Sequence, residues 1–179
     1  MCTVPQITTD RLSLRAHCAS DLAAATELWQ TESVYQHITG SPLSEQDVWL
    51  RLLRYSGLWD FLDYGYWAVE DRLSGRYIGQ LGFADFKRGL TGFDSDVPEA
   101  GWIIHPDFSG RGIASEGMQA ACEWLDEHTD WQKSFCIIAP ENERSVHLAG
   151  KLGYCYKLDT QFGDETTPVF FREGKIKLS

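Results

Sequence analysis

The chain contains no run of lysine or arginine, no long apolar stretch, no C-x-x-C pair and no H-E-x-x-H. Each absence excludes a class of function. With Lys+Arg 16 against Asp+Glu 26, the formal net charge is −10. A nucleic-acid partner needs a concentrated basic face, so none is expected. No apolar run reaches the ~18 residues of a membrane span, so no membrane partner is expected either. The opening residues "MCTVPQITTDRL" lack a basic segment followed by an apolar one, which leads to the expectation of a cytoplasmic protein.

Five cysteines (Cys2, Cys18, Cys122, Cys136, Cys155) are an odd, widely spaced set. They read as reduced, mostly buried small hydrophobes. The histidines are scattered, and no metal is expected. The acidic balance suits a cationic partner and equally suits a soluble surface. With 179 residues, 43% of them hydrophobic, the chain is expected to form a single domain over residues 1–179.

The remaining pattern is mixed α/β. "RLSLRAH" (Arg11–His17) alternates with the period of a strand. Ser20 is placed to cap a helix through "SDLAAATELWQ", and Ser44 with Asp47 forms a capping box before "VWLRLLRYSGLW". "YGYWAVED" and "RYIGQLGFADF" flank the turn "RLSG" as a hairpin, and "GLTGFDSDVP" reads as a loop. A strand at Glu99–Pro106 then leads through a glycine-rich loop to a helix at Ile113–Glu127 and a strand at "SFCIIAP". Two strands joined through a helix are most simply parallel, so the sheet is expected to be mixed. "NERSVHLAGKLG" is a helix with Asn142 as cap and Gly153 as stop, and "YCYKLDTQF" with "TPVFFRE" closes the chain as a hairpin.

The loop "HPDFSGRGIASEG" puts Gly110 and Gly112 just before a helix start. The first N–H groups of a helix have no internal partner, and that end is positive. Side-chain-free backbone there admits an anion such as phosphate, although a tight turn without a ligand fits the same residues. No lysine follows to make a Walker loop, and Ser115 stands where a dinucleotide fingerprint has its third glycine.

Ser109-Gly110-Arg111-Gly112-Ile113-Ala114 resembles the acetyl-coenzyme A signature [QR]-x-x-G-x-[GA] of the GNAT superfamily of N-acetyltransferases. "EAGWIIHPDF", "PENERSVHLAGKLGY" and "TDRLSLRAHCASDL" are similar to its RimJ/RimL-like branch, which acetylates ribosomal-protein N-termini. The resemblance covers nearly the whole chain. It implies a mixed, mostly antiparallel α/β sheet with a splayed parallel strand pair and flanking helices. It also implies acetyl-coenzyme A as cosubstrate, without metal, and an amine acceptor that is either a small molecule or a peptide N-terminus, acted on by a monomer or a homodimer.

Backbone groups near Ile103 and Ile104 would then polarise the thioester, and Arg111–Ser115 would hold the pyrophosphate. Asn142 and Ser145 would meet the pantetheine arm or the thiol. Glu99 matches a glutamate frequent in the family and is the candidate base, with a solvated strand-end carboxylate as the competing reading. His105 lies six residues along the strand, ~20 Å from Glu99, so it positions rather than shares one reacting centre. Trp59, Asp60, Tyr64 and Tyr66 fall in the aromatic segment Leu58–Trp67. Either they line the acceptor groove or the aromatics pack the core. Two departures stand out: Ser109 replaces Gln or Arg, and Ala149 occupies the position where many members carry a tyrosine acid. With that tyrosine absent, a non-catalytic acyl-coenzyme A binding module is the alternative function. Tyr154 reads as a packing residue.

Overall fold

A computed structural model of the protein describes residues 3–174. Cys2 lies outside them. The strands are β1 (Ile7–Thr8), β2 (Leu12–Arg15), β3 (Tyr66–Asp71), β4 (Tyr77–Ala84), β5 (Glu99–Ile104), β6 (Lys133–Ile137), β7 (Cys155–Phe162) and β8 (Glu165–Glu173). The helices are α1 (Leu22–Gln30), α2 (Glu32–Tyr35), α3 (Glu45–Leu62), α4 (Ile113–His128) and α5 (Glu143–Lys151). All eight strands form one sheet in the order β1-β2-β3-β4-β5-β6-β8-β7. Every neighbouring pair is antiparallel except β5 and β6.

Alternation along the strands divides the core between the two faces of the sheet. On one face Leu12, Leu14, Trp67, Val69 and Leu81 meet Ile113, Met118, Ala121 and Leu125 of α4. On the other, Ala25, Leu28 and Trp29 of α1 pack with Val48, Leu52, Tyr55 and Leu58 of α3. These are the apolar stripes that a 3.6-residue period supplies. α4 is also tied to β8 by a buried ion pair, in which Arg172 donates to both oxygens of Asp126 at 2.9 and 2.6 Å.

Several expectations hold and several need correcting. The Ser44–Asp47 capping box forms, with Asp47 N donating to Ser44 Oγ at 3.1 Å. Ser20 does not cap α1. Asp21 stands at the N-cap position instead, after a short 3-10 turn at Ala19–Asp21, and its side chain makes no cap bond to α1. The reason is electrostatic: the Asp21 carboxylate accepts from Cys18 N at 2.9 Å and from both terminal nitrogens of Arg15, which fixes that turn. α3 runs on to Leu62, so the aromatic segment Leu58–Trp67 is split between a helix and a strand. The closing hairpin is present, but it is β8 rather than β7 that pairs with β6. β1 was not anticipated: two residues are too few to show a period. Cys122 and Cys136 are buried as expected, whereas Cys18 and Cys155 are exposed.

His17 is stacked on Tyr55 at 5.2 Å between centroids, with neither ring nitrogen hydrogen-bonded. Burial lowers its pKa from 6.5 to about 4, against the pull of Asp21. The unfolded chain therefore binds this proton more readily than the native one. The stability that rests on neutral His17 is complete above pH ~6.5 and is lost as pH falls toward 4, amounting to about 3 kcal/mol. His17→Phe keeps a ring on Tyr55 and should be less acid-sensitive than wild type by about that amount. Urea unfolding of both proteins at pH 7 and pH 4 measures the difference, and equal losses would refute the assignment.

Candidate active site

The parallel pair touches at a single register point, Glu99 opposite Phe135, where Phe135 N donates to Pro98 O at 3.0 Å. Beyond it β6 pairs only with β8, and β5 only with β4. The amides along β5 alternate between the two sides. His105 N donates to Ile78 O at 2.7 Å, and Ile103 stands opposite Gln80 in the same ladder. Counting back by two, the Ile103 amide is directed to β4, and those of Trp102 and Ile104 face the gap. Ile104 and Trp102 thus present their amides on the open side of the strand. The expectation for Ile103 is corrected, because its amide belongs to the ladder.

A cleft of about 940 Å³ opens into this gap. Trp102, Ile103, Ile104, Ser109, Gly110, Gly112, Ile113, Ala114, Ser115, Asn142 and Ser145 line it. Gly110 and Gly112 both have φ +75°, a left-handed conformation that costs most residues 1–2 kcal/mol. This is why glycines stand before a helix: the chain turns there through backbone angles that side chains resist. Gly112 is the N-cap of α4, and no side chain caps it, so the first amides of a 16-residue helix are open toward the cleft. Arg111 does not line the cleft. Its carbonyl accepts from Arg11 Nη1 at 2.7 Å, and its guanidinium leans on Phe108.

Arg11 is held in turn by Glu116, whose carboxylate accepts from Arg11 Nε at 2.6 Å and from Arg11 N at 3.0 Å. Burial opposes the Glu116 charge, but these bonds and one from Thr9 prevail, and its pKa falls below the ordinary carboxylate value. The loop is thus braced from the first long strand.

Asn142 caps α5, accepting from Ser145 N at 3.2 Å. The Ser145 hydroxyl accepts the indole N–H of Trp102 at 3.3 Å. A hydroxyl that accepts on its oxygen keeps its own proton to donate elsewhere. Ala149, one turn further along α5, is fully buried. Tyr154 is 2% exposed and shares a 2.7 Å hydrogen bond with Ser134, and burial pushes its phenol far above the ordinary value. It packs, as expected.

Glu99 is not a solvated strand-end carboxylate. It is 6% exposed and lines a smaller cavity of about 210 Å³ with Asp85, Phe86, Arg88 and Phe135. Both its oxygens accept from Arg88 Nε, at 3.1 and 2.9 Å. Burial raises its pKa, and Arg88 opposes that rise.

The acceptor-groove expectation for Trp59 and Tyr64 is corrected. Trp59 is 2% exposed, its indole donates to Tyr66 O at 3.1 Å, and it packs edge-on against Trp67 and Trp124. Tyr64 is 4% exposed and meets Trp131. Four of the five aromatics in this segment pack into the core, which desolvates them, whereas Phe61 on α3 is 89% exposed. Asp60 is exposed on α3, outside the residues lining both cavities. Tyr66 lies closer to the centre: its ring stacks on Tyr55 and its hydroxyl presses on Gly101 of β5, leaving no room for a side chain there. Gly101 stands between Glu99 and Ile103 on β5. His105 accepts from Asp107 N at 3.3 Å and turns the chain into the glycine loop.

Sequence reading missed three residues and one segment. Arg144 and Lys151 line the large cleft from α5. Their spacing of seven, two helical turns, could have shown them on one face. Ser33–Ile38 covers the same cleft and carries no motif. Arg88 sits in the loop before β5, where sequence gives no sign of its direction.

The family model described as acetyltransferase (GNAT) domain matches residues 11–154, and the chain belongs to that family of acetyltransferases. Among curated relatives in Bacillus subtilis strain 168, the chain is 26% identical over 147 residues to the uncharacterized N-acetyltransferase YnaD, covering 82% of this chain and 81% of YnaD. It is 24% identical to YkkB, uncharacterized, over 60% of each chain, so it spans well under two thirds of that relative's length. A GnaT-family acetyltransferase from Bordetella pertussis superposes with TM-score 0.82 at 29% identity, covering 94% of this chain and 99% of its own. The same fold recurs in ribosomal-protein-S5-alanine acetyltransferase from Vibrio fischeri (TM-score 0.74, 15% identity, coverage 98% and 100%). It recurs again in spermidine N-acetyltransferase from Vibrio cholerae in complex with CoA and spermine (TM-score 0.71, 20% identity, coverage 92% and 96%).

Tyr154→Phe should destabilise the protein by about 1–3 kcal/mol, because Ser134 is left buried without its partner, and should leave turnover intact. Thermal unfolding beside a steady-state assay checks both halves. A fall in kcat with unchanged melting temperature would make Tyr154 a proton donor instead.

Proposed function

We propose that the protein transfers an acetyl group from acetyl-coenzyme A to a primary amine by direct attack in a ternary complex. The supporting observation is that two cavities reach β5 from different sides. One holds the open end of α4 and the amides directed into the gap, and the other holds a buried carboxylate. Glu99 and Trp102 are three residues apart, ~10 Å along the strand, a span that a glutamate side chain and a small amine can bridge.

The donor-binding residues fit the chemistry of the cosubstrate. Uncapped amides at the start of α4 and the cations Arg144 and Lys151 suit its phosphates. The narrow cleft beside Trp102 and Ser145 suits its pantetheine arm. When bound, acetyl-coenzyme A supplies the activated acetyl thioester. The amides of Trp102 and Ile104 donate toward the oxygen that gains charge during transfer. Glu99 accepts the proton of the incoming ammonium, since only a free amine attacks. Ser145 has its proton available for the leaving sulfur, which answers the absence of a tyrosine at Ala149. The family assignment favours transfer over the alternative of a non-catalytic acyl-coenzyme A binding module.

The acidic balance favours a cationic acceptor, either a small polyamine-like molecule or a peptide N-terminus. The likeness of "PENERSVHLAGKLGY" to the RimJ/RimL-like branch supports the peptide, and the spermidine enzyme's shared fold supports the small amine. A cytoplasmic location suits the reduced cysteines. Free-thiol release from acetyl-coenzyme A across a panel of amines and peptides is the deciding experiment. No release with any acceptor would leave the binding-module reading.

Two sets of variants separate the roles. Gly112→Val forces a β-branched residue into φ +75° and should weaken coenzyme A binding at least tenfold, ~1.4 kcal/mol, whereas Gly112→Asn tolerates that angle and should lose less. Calorimetric titration measures this, and equal affinity in all three proteins would separate the loop from the cosubstrate.

In turnover, Glu99→Gln should depress kcat/KM most near neutral pH and approach wild type at high pH, where the amine is already free. The wild-type acid limb should lie above the ordinary glutamate range, because burial raises the Glu99 pKa. Ser145→Ala should lower kcat without narrowing that gap. A Glu99→Gln to wild-type ratio that stays constant across pH would mean that Glu99 is not the base.

A further inference from the structure

Arg88 is held as a bound ligand would be. Its guanidinium carbon lies 4.5 Å from the Phe86 ring centroid and 4.9 Å from that of Phe162, so the planar cation sits against two aromatic rings. Its Nε donates to both Glu99 oxygens. Two rings and a carboxylate, drawn from the β4–β5 loop, β7 and β5, are the parts of a cation-binding site. The occupant is a side chain on a surface loop, and that side chain remains 29% exposed.

The loop directs Arg88 inward by strained geometry. Lys87 before it has φ +49° and Gly89 after it has φ +66°. The following residues are anchored: Leu90 is buried with Phe135 and Val169, and Thr91 exchanges hydrogen bonds with Thr160 at 3.3 and 2.9 Å. The Arg88 side chain can therefore leave while the loop beyond it stays in place. The cavity beside it, about 210 Å³, is lined by Asp85, Asp96 and Glu99 against Lys87 and Arg88. Three carboxylates and two cations leave one negative charge there, and two once Arg88 swings out.

We infer that Glu99, Phe86 and Phe162 form the subsite for the acceptor's cationic amine, and that Arg88 occupies this subsite until an alkylammonium displaces it. The inference deepens the transferase reading and rests on it. The reacting ammonium takes the place of the guanidinium at Glu99, a proton passes from its nitrogen to the carboxylate, and the neutral amine keeps the lone pair for attack. Losing Arg88 removes the charge that held the buried carboxylate ionised, so the group that binds the ammonium becomes a better base once the ammonium has arrived. A neutral isostere offers the carboxylate one uncharged hydrogen bond and the rings no cation, and does not displace the guanidinium.

The probe is n-butylammonium chloride, with n-butanol and matched sodium chloride as controls, in the presence and absence of coenzyme A. In protein carrying nitrogen-15 arginine, the Arg88 Nε–H resonance is identified by its loss in Arg88→Lys. Butylammonium should move it to the position of a solvated arginine, and neither control should. By calorimetry, Arg88→Gln should bind butylammonium at least tenfold more tightly than wild type, and Phe162→Ala at least threefold more weakly. If Arg88→Gln does not fold, the resonance in the wild-type protein decides alone.

A resonance that butylammonium leaves in place overturns the proposal, as does an Arg88→Gln affinity equal to wild type. Displacement of Arg88 without thiol release from any amine keeps the cation subsite and removes the transferase reading of Glu99. Thiol release with Arg88 unmoved does the reverse.

Discussion

The parting of two parallel strands after one register point is the constraint on which the rest of the structure depends. Parallel strands joined through a helix would ordinarily pair along their length, and every amide of β5 would then have a partner. Here β6 is taken over by β8, and β5 continues along β4 alone. The unpaired edge leaves two backbone amides with no partner strand among the described residues. Such groups are costly to bury unless something meets them, so an edge of this kind opens onto a cavity rather than onto packed side chains. The cleft, the open end of α4 and the capped start of α5 all converge on that edge.

The second requirement is stiffness where the backbone is least regular. A loop with two left-handed glycines has few internal contacts to hold its shape. Arg11 supplies them from outside, bonding the Arg111 carbonyl with one nitrogen and Glu116 with another. The residue just before β2, a hundred residues away in sequence from Arg111, thereby braces the glycine loop. Exposed ion pairs contribute little to stability, but one that joins the start of β2 to α4 and the glycine loop can fix position even where it adds little energy. Opposite charges are also distributed unevenly. The chain carries a formal net charge of −10, yet the large cleft sets Arg144 and Lys151 against Glu141 and Glu143, while in the smaller cavity Asp85, Asp96 and Glu99 outnumber Lys87 and Arg88.

What could be read in advance followed short-range rules. The capping box at Ser44, the Asn142 cap, the hairpins and the parallel middle unit rest on residues a few positions apart, and they appear as read. The two glycines before α4 line the large cleft. Their purpose was only half visible: close approach was read from the missing side chains, and the left-handed angles emerged in three dimensions. Ser20 failed as a cap because Asp21, one residue later, had a stronger offer from Arg15. Trp59 and Tyr64 failed as groove residues because burial, not sequence neighbourhood, decides where an indole goes.

By itself the sequence determined the order of elements, the faces of the helices, the glycine loop with its anion-ready helix end, and a family likeness carried by two motifs at a fixed spacing. These depend on local backbone preference and on the period of apolar residues, both of which act within a turn or a strand. The tertiary structure alone decided which β5 amides face the gap, since that is set by register against β4. It also decided that Glu99 lies buried beneath Arg88, since a carboxylate at a strand start looks the same in sequence whether water or a guanidinium meets it. The direction of the Arg88 side chain depends on Phe162, 74 positions later in the chain, and no local rule links residues so far apart.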